Sequence, residues 1–170
     1  MNQSFEYVIQ DFDSKSNENI LIDIFTLNQA NTPEVGNLQS LSYFKELLIN
    51  ISTAKYISFK NEVIGFVVCF REASNYASDN YKFFSKTEKS FLYIDRIAIC
   101  DRFRRNNLAN ELYKTIEQEC ITSKIPLCCE VNLKPLNQPS INFHEKFGFV
   151  RVGKQEFKEN TVAYFKKDYI

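Results

Sequence analysis

The sequence predicts an α/β fold built on a mixed, mostly antiparallel sheet of about seven strands. Three observations carry that expectation. Seven short segments have strand character, two pairs of them are joined by tight polar turns, and residues 91–132 read strand–helix–strand. Hairpins require antiparallel neighbours, whereas a crossover through a helix requires a parallel pair. No repeat, low-complexity tract or Pro/Gly linker divides the 170 residues, so a single domain over 1–170 is expected.

Phe5–Gln10 reads as the first strand. Asn19–Ala30 carries Ile20, Leu21, Ile24, Phe25 and Leu27 at mostly helical spacing, and Leu38–Ile51 repeats the pattern with Leu41, Phe44, Leu47 and Leu48. The turn NTPEVGN, with Pro33 and Gly36, separates these helices. Ala54–Lys60 and Glu62–Arg71 form a hairpin about Asn61, with Gly65 marking a bulge or a close approach. Residues 72–90 are polar with interleaved Tyr76, Tyr81, Phe83 and Phe84, and are expected to be a long loop. Its aromatics either anchor it or, as Tyr81 is expected to do, touch a substrate.

An apolar strand follows at 91–99, then an arginine-rich turn, then a helix from about Asn107 to Thr122 with an inner stripe of Leu108, Ala109, Leu112, Tyr113, Ile116 and Cys120. Ile125–Asn132 is the next strand, LKPLNQP a turn, and Ser140–Phe147 a short helix stopped at Gly148. Phe149–Phe157 and Thr161–Asp168 close the chain as a hairpin around KEN.

Charge and cysteine content narrow the function. Lys+Arg and Asp+Glu are both 21, so no global basic field attracts nucleic acid or anionic lipid. No apolar run approaches the ~20 residues that cross a bilayer. MNQSFEYVIQDFDSK lacks a basic start followed by an apolar core, so no secretion signal is expected. The five cysteines are odd in number, show no CxxC and fall mostly in apolar runs. Buried reduced thiols of a cytoplasmic protein are the expectation. His144 is the only histidine, so no metal site is expected.

The turn at 102–109 is the most informative segment. A strand feeding through Arg102, Arg104 and Arg105 into a helix start offers free N–H groups, a favourable dipole and positive charge to a phosphate. Arg104-Arg105-Asn106-Asn107-Leu108-Ala109 resembles the Arg/Gln-x-x-Gly-x-Gly/Ala turn of the GNAT acyl-CoA N-acetyltransferase superfamily. Asn137-Gln138-Pro139-Ser140-Ile141-Asn142-Phe143-His144-Glu145-Lys146-Phe147-Gly148-Phe149 resembles that family's second block, Asn-x-x-Ala/Ser-x-x-(apolar)-Tyr-Glu-Lys-x-Gly-Phe. YIDRIAI, EVN, FHEKFGF and VG further resemble a bacterial group of predicted GNAT acetyltransferases.

The resemblance implies a fold with helices on both faces of the sheet, and acetyl-CoA as cosubstrate. It implies that amides from Arg105, Asn106, Asn107, Leu108, Ala109 and Asn110 hold the pyrophosphate beside Arg104, and that backbone at Ile97, Ala98 and Ile99 pairs with the pantetheine arm. Asn137, Ser140 and Phe143 of the second block join the cofactor set. The implied activity is transfer of acetyl to a primary amine, on a small molecule or a peptide N-terminus, by direct attack. A homodimer is compatible with it.

Two positions depart from the family pattern. Asn107 stands at the central glycine, and Arg105 at another common glycine. Asparagine is the non-glycine residue that best tolerates the left-handed region, so the turn can survive. His144 stands where the family commonly has a tyrosine near the thioester sulfur. An imidazole with an ordinary pKa near ~6.5 could protonate the leaving thiolate, or it could simply be packed.

Glu130 is the first candidate base, at the end of its strand before the proline-rich turn, where burying a charge is costly. It also matches the glutamate of the EV-x segment in ribosomal-protein N-terminal alanine acetyltransferases; a surface glutamate or salt-bridge partner is the plainer reading. Asp95 is the second candidate, for base or substrate contact, and a structural pairing with Arg96 is equally open although neighbours on a strand face opposite sides. Asn132 either orients substrate or ends the strand. A non-catalytic acyl-CoA-binding or regulatory domain with the same fold is the alternative function.

Overall fold

The computed structural model describes residues 6–169. Phe5, the expected start of the first strand, lies outside them. The strands are β1 (Val8–Asp11), β2 (Thr53–Phe59), β3 (Glu62–Arg71), β4 (Leu92–Ile99), β5 (Leu127–Lys134), β6 (Val150–Glu156) and β7 (Thr161–Lys167). The α-helices are α1 (Glu18–Ala30), α2 (Leu41–Leu47), α3 (Asp79–Thr87), α4 (Leu108–Ser123) and α5 (Gln138–Phe147). The strands form a mixed seven-stranded sheet.

Two compact units share the described residues, 6–69 with 96–114 and 70–95 with 115–169. In the first, β1 pairs antiparallel with β2 and β2 with β3. Lys60 and Asn61 both have positive φ (49° and 64°), the turn whose twist suits a two-residue hairpin. The register slips between Ile57 and Ser58, opposite Gly65. A Cβ on Gly65 would lie 2.6 Å from Ile99 Cδ1 and 3.3 Å from the Ala98 carbonyl, so the glycine marks both a bulge and a close approach. Leu21, Ile24, Phe44, Ile57, Ile64 and Phe66 are fully buried in this unit's core.

In the second unit β4 begins parallel to β5, pairing Leu92 with Leu127 and Tyr93 with Cys128. β5 and β6 both run antiparallel to β7. The core here is aromatic, with Phe70, Phe84, Phe91, Tyr93, Tyr164 and Phe165 at most 1% exposed.

The long loop expected at 72–90 contains helix α3. Ser78 caps it, its side chain accepting from Tyr81 N, with Asp79 in the first turn and Lys86 in the last. Tyr81 and Phe84, three residues apart, supply its buried stripe. The segment is polar overall, and that polarity hid a helix anchored by a few aromatics. α2 is also shorter than expected, ending in one 3₁₀ turn at Leu48–Asn50. α5 starts earlier, with Asn137 as its cap, and ends at Gly148 with φ 99°.

Candidate active site

The candidate residues fall into parts, each built by different means. The turn after β4 is backbone geometry. Asp101–Phe103 makes one 3₁₀ turn, and then Arg105 (φ 63°) and Asn107 (φ 62°) both adopt the left-handed conformation. These are the two positions where the chain departs from a glycine common in the family. The chain reaches the glycine geometry without glycine, at a backbone cost of roughly 1–2 kcal/mol per left-handed L-residue. The turn therefore fits a cradle in which main-chain amides approach a pyrophosphate.

Side chains brace that turn. Asn106 Nδ2 donates to the carbonyls of Phe103 (3.1 Å) and Arg104 (3.3 Å). Arg104 pairs with Asp101 at 2.8 Å and donates to Asn31 Oδ1 at 2.8 Å, and Arg102 pairs with Glu62. Two of the three arginines thus hold the fold locally, while Arg105 is exposed. Leu108 is buried, Ala109 and Asn110 are half-buried, and on β4 Ala98 and Ile99 are buried with Ile97 half-buried.

The second part is a cluster of acids and tyrosines. Registered pairing of β4 with β5 reaches Tyr93 and Cys128. Asp95 and Glu130 each lie two residues further on, so the period of two puts both carboxylates on one face. Tyr93 Oη donates to Glu130 Oε2 at 2.7 Å, and Asn80 Nδ2 donates to Glu130 Oε1 at 3.2 Å. Tyr76 Oη donates to Asp95 Oδ1 at 2.6 Å, its ring stacked 4.1 Å from Phe70. Burial, and then the nearby Asp95 charge, push the Glu130 carboxyl up to about 8, outweighing the hydrogen bonds that favour its anion. Burial first, and Glu130 second, raise the phenols of Tyr93 and Tyr164, the latter to about 12.

Tyr81, expected near a substrate, is 3% exposed. Its hydroxyl donates to the Arg71 carbonyl at 2.7 Å and accepts from Ser74 N at 2.9 Å, which pins α3 and its approach. Arg96 turns to the other face of β4, donating to Asn28 Oδ1 (3.0 Å) and the Gly36 carbonyl (2.6 Å). Asn132 follows Glu130 by two on β5, and its carbonyl accepts from Asn137 N at 3.1 Å, closing the loop that presents α5.

On α5, Asn137 Oδ1 accepts from Ser140 N at 3.2 Å. His144 is 5% exposed, set edge-on to Phe149 and Phe143. Its Nδ1 lies 2.7 Å from the Ser140 carbonyl, which requires a proton on Nδ1. Burial lowers its pKa to about 4. The acid fraction of an ordinary imidazole at neutral pH is thereby removed. Phe143 is half-buried.

Sequence reading passed over Tyr93, Tyr164 and Asn80. Tyr93 lies two residues before Asp95, and that spacing on a strand was a usable signal. Asn80 had none, because its helix was not foreseen.

The model of the acetyltransferase (GNAT) family matches residues 21–149. The chain belongs to that family. No curated protein matches the sequence. Among solved structures, the ribosomal-protein-S18-alanine N-acetyltransferase from Escherichia coli is similar with a TM-score of 0.69 at 12% identity, covering 96% of this chain and 94% of that one. Arabidopsis thaliana NAA60, in complex with a bisubstrate analogue, gives 0.73 at 13% identity, covering 96% and 98%. Arabidopsis thaliana Naa50, bound to the bisubstrate analogue CoA-Ac-MVNAL, gives 0.70 at 14%, covering 95% and 99%. At these identities the similarity is one of fold. The GNAT family is an acetyltransferase family that uses acetyl-CoA. Among the described residues no helix is long and apolar enough to cross a membrane.

Proposed function

We propose that this GNAT protein is an acetyl-CoA-dependent N-acetyltransferase in which Glu130 takes the proton of a primary amine. The observation that carries the reading is the Glu130 carboxyl, held by Tyr93 and Asn80 and pushed up to about 8. An amine bound as ammonium has no lone pair. A base whose pKa approaches that of the amine removes the proton with little penalty, then stores it through the reaction.

The amine nitrogen attacks the thioester carbonyl carbon, the C–S bond breaks, and the thiolate leaves with the proton that the nitrogen sheds as the amide forms. Amides of 105–110 would hold the pyrophosphate with Arg104 at the turn, and β4 backbone at Ile97, Ala98 and Ile99 would pair with the pantetheine. One of those N–H groups would stabilise the oxyanion as it develops. Asn137, Ser140 and Phe143 would complete the cofactor side. Asp95, beside Glu130, favours a cationic acceptor, with Asn132 on the same face. Tyr81 serves by anchoring α3. His144, neutral and packed, is assigned to shaping α5 in place of acid catalysis. The acceptor is a small-molecule or peptide primary amine; the analogue bound to Naa50, CoA-Ac-MVNAL, carries a peptide.

Residues 1–170 are read as one acetyltransferase domain, because the family match runs through both units and β3, β4 and α4 belong to each. The five cysteines are free thiols, four of them buried, which suits a reducing cytoplasm. The test is turnover of a panel of primary amines with acetyl-CoA between pH 6 and 10. The expected kcat/KM rises to a plateau above about pH 8. Tight CoA binding without turnover of any amine or peptide would instead establish a non-catalytic acyl-CoA-binding domain.

A further inference from the structure

Helix α3 belongs to no motif of the family pattern quoted above, yet it supplies a side chain that hydrogen-bonds to Glu130. We propose that Asn80 is a positioning residue for Glu130, its amide turned by Tyr164 so that only its N–H groups can face the carboxylate. This rests on the role given to Glu130 in the preceding section.

The orientation follows from donors and acceptors. Tyr164 Oη donates to Asn80 Oδ1 at 3.0 Å, and Asn80 Nδ2 donates to Glu130 Oε1 at 3.2 Å. Turning the amide over would set its oxygen against a carboxylate oxygen and its NH₂ against a hydroxyl that must then accept. Glu130 and Tyr164 are registered partners on β5 and β7, so the residue that fixes the amide stands beside the residue the amide serves.

A second contact holds the helix at that height. Phe83, three residues after Asn80 and so on the same side of α3, stacks on the Tyr164 ring at 3.9 Å and 11°. A Cβ on Gly153 of β6 would come within 2.8 Å of Phe83 Cζ, so the ring fills the space that this glycine leaves. Tyr164 thus grips α3 twice, through the Phe83 ring and through the Asn80 amide.

The chemical consequence concerns the charge on Glu130. The groups that face it are Tyr93 and Asp95 from β4, Asn80 from α3 and Tyr164 from β7, with Tyr76 reaching Asp95 from the loop before α3. Asp95 opposes the Glu130 anion. Tyr93 and Asn80 support it, one on each oxygen, and Tyr164 acts through the amide. Removing the Asn80 donor leaves Asp95 and burial less opposed, so the carboxylate is harder to form.

The experiment compares Asn80→Ala, Asn80→Ser and Tyr164→Phe with the wild type, by the pH profile of kcat/KM and by carbon-13 NMR titration of the glutamate carboxyl assigned through Glu130→Gln. Asn80→Ala is expected to move the acid limb and the Glu130 titration upward by about one pH unit, an approximately tenfold loss of rate below the limb that is recovered at high pH. Asn80→Ser retains a shorter polar group and recovers part of the shift. Tyr164→Phe, which frees the amide, moves both readouts in the same direction by less.

A uniform loss of rate with an unmoved limb and titration would overturn the proposal, because a merely structural role lowers the amplitude alone. Should Asn80→Ala fail to fold, Asn80→Ser and Tyr164→Phe decide by the same criterion. The titration needs no activity. An upward shift in a protein that acetylates no amine would keep the positioning role and reject the catalytic one, whereas turnover with an unmoved titration would do the reverse.

Discussion

The turn at 104–109 and the acid–tyrosine cluster around Glu130 reach their chemistry by opposite routes. The turn is local: six consecutive residues, two of them in the left-handed region, braced by Asn106 and Arg104 onto neighbours. The ligand groups proposed for it are backbone amides, and most of its side chains are exposed. The cluster is assembled from four places in the chain. The Tyr93–Glu130 bond joins residues 37 apart, Asn80–Glu130 spans 50 and Tyr164–Asn80 spans 84. Substitution in the turn is therefore expected to act on cofactor affinity, and substitution in the cluster on proton transfer and its pH dependence.

The largest effect is expected at Glu130. Glu130→Gln removes the proposed base, and a loss of ~10²–10⁴ in kcat with little change in the Kd for acetyl-CoA is predicted. The same variant has a stability signature of definite sign. The Glu130 pKa rises from the usual 4.5 to about 8 in the fold, so between those values the folded state holds a proton the unfolded state has lost. Stability from this group therefore falls as pH rises through that window. Glu130→Gln should melt higher than wild type at pH 9 and close to it at pH 5. A parallel melting difference at both pH values would break the contrast, by showing that Glu130 ionises as an exposed glutamate does.

The turn comes next. Asn107→Val places a β-branched residue at φ 62°, and should raise the acetyl-CoA Kd about tenfold while leaving kcat at saturation nearly unchanged. Asn107→Gly should bind at least as well as wild type, because it removes the strain and keeps the amide. Equal affinities for the valine and glycine variants in calorimetry would mean that the left-handed geometry is not what the cofactor reads.

The contrast also accounts for what the sequence revealed. The turn, the crossover strand–helix–strand and the Asn137–Phe149 block were legible because their signals lie in continuous stretches of sequence. Asn137 at the α5 cap and Gly148 at φ 99° are local devices of that kind. Glu130 and Asp95 could be nominated, since an acid in an apolar strand is conspicuous. The groups that tune them could not. Asn80 lies on a helix whose polar composition resembles a loop, and its importance arises only when β7 brings Tyr164 beside it. Tyr81 was misjudged for the same reason: an aromatic in a polar stretch invites a substrate contact, but its hydroxyl is used by Arg71 and Ser74 backbone.

A smaller effect is expected at His144. With its pKa lowered to about 4, only about one molecule in a thousand carries an imidazolium at pH 7. His144→Phe should change kcat less than about threefold, within what a repacked α5 produces. Its mark is on stability. A histidine whose folded pKa lies below its unfolded value of 6.5 contributes stability that is whole above 6.5 and is lost as pH falls toward 4. Wild type should therefore lose melting temperature across that window faster than His144→Phe. A hundredfold loss of kcat in the variant would restore His144 to acid catalysis.

The smallest effect is expected at Arg105, and it separates the two components of the turn. Arg102 and Arg104 are committed to Glu62, Asp101 and Asn31, so replacing either disturbs the turn's own bracing. Arg105 is exposed, and its contribution to a bound phosphate is a screened charge in water. Arg105→Gly removes the charge and relieves a left-handed residue, whereas Arg105→Ala removes the charge and keeps the strain. Both should weaken acetyl-CoA binding two- to threefold at low salt, an order-of-magnitude figure for an exposed ion pair, with the difference fading near 0.5 M salt. If Arg105→Gly binds more tightly than wild type at every salt concentration, backbone strain outweighs charge at this position. The turn would then read its ligand almost wholly through its amides, which is the opposite of the side-chain control exercised around Glu130.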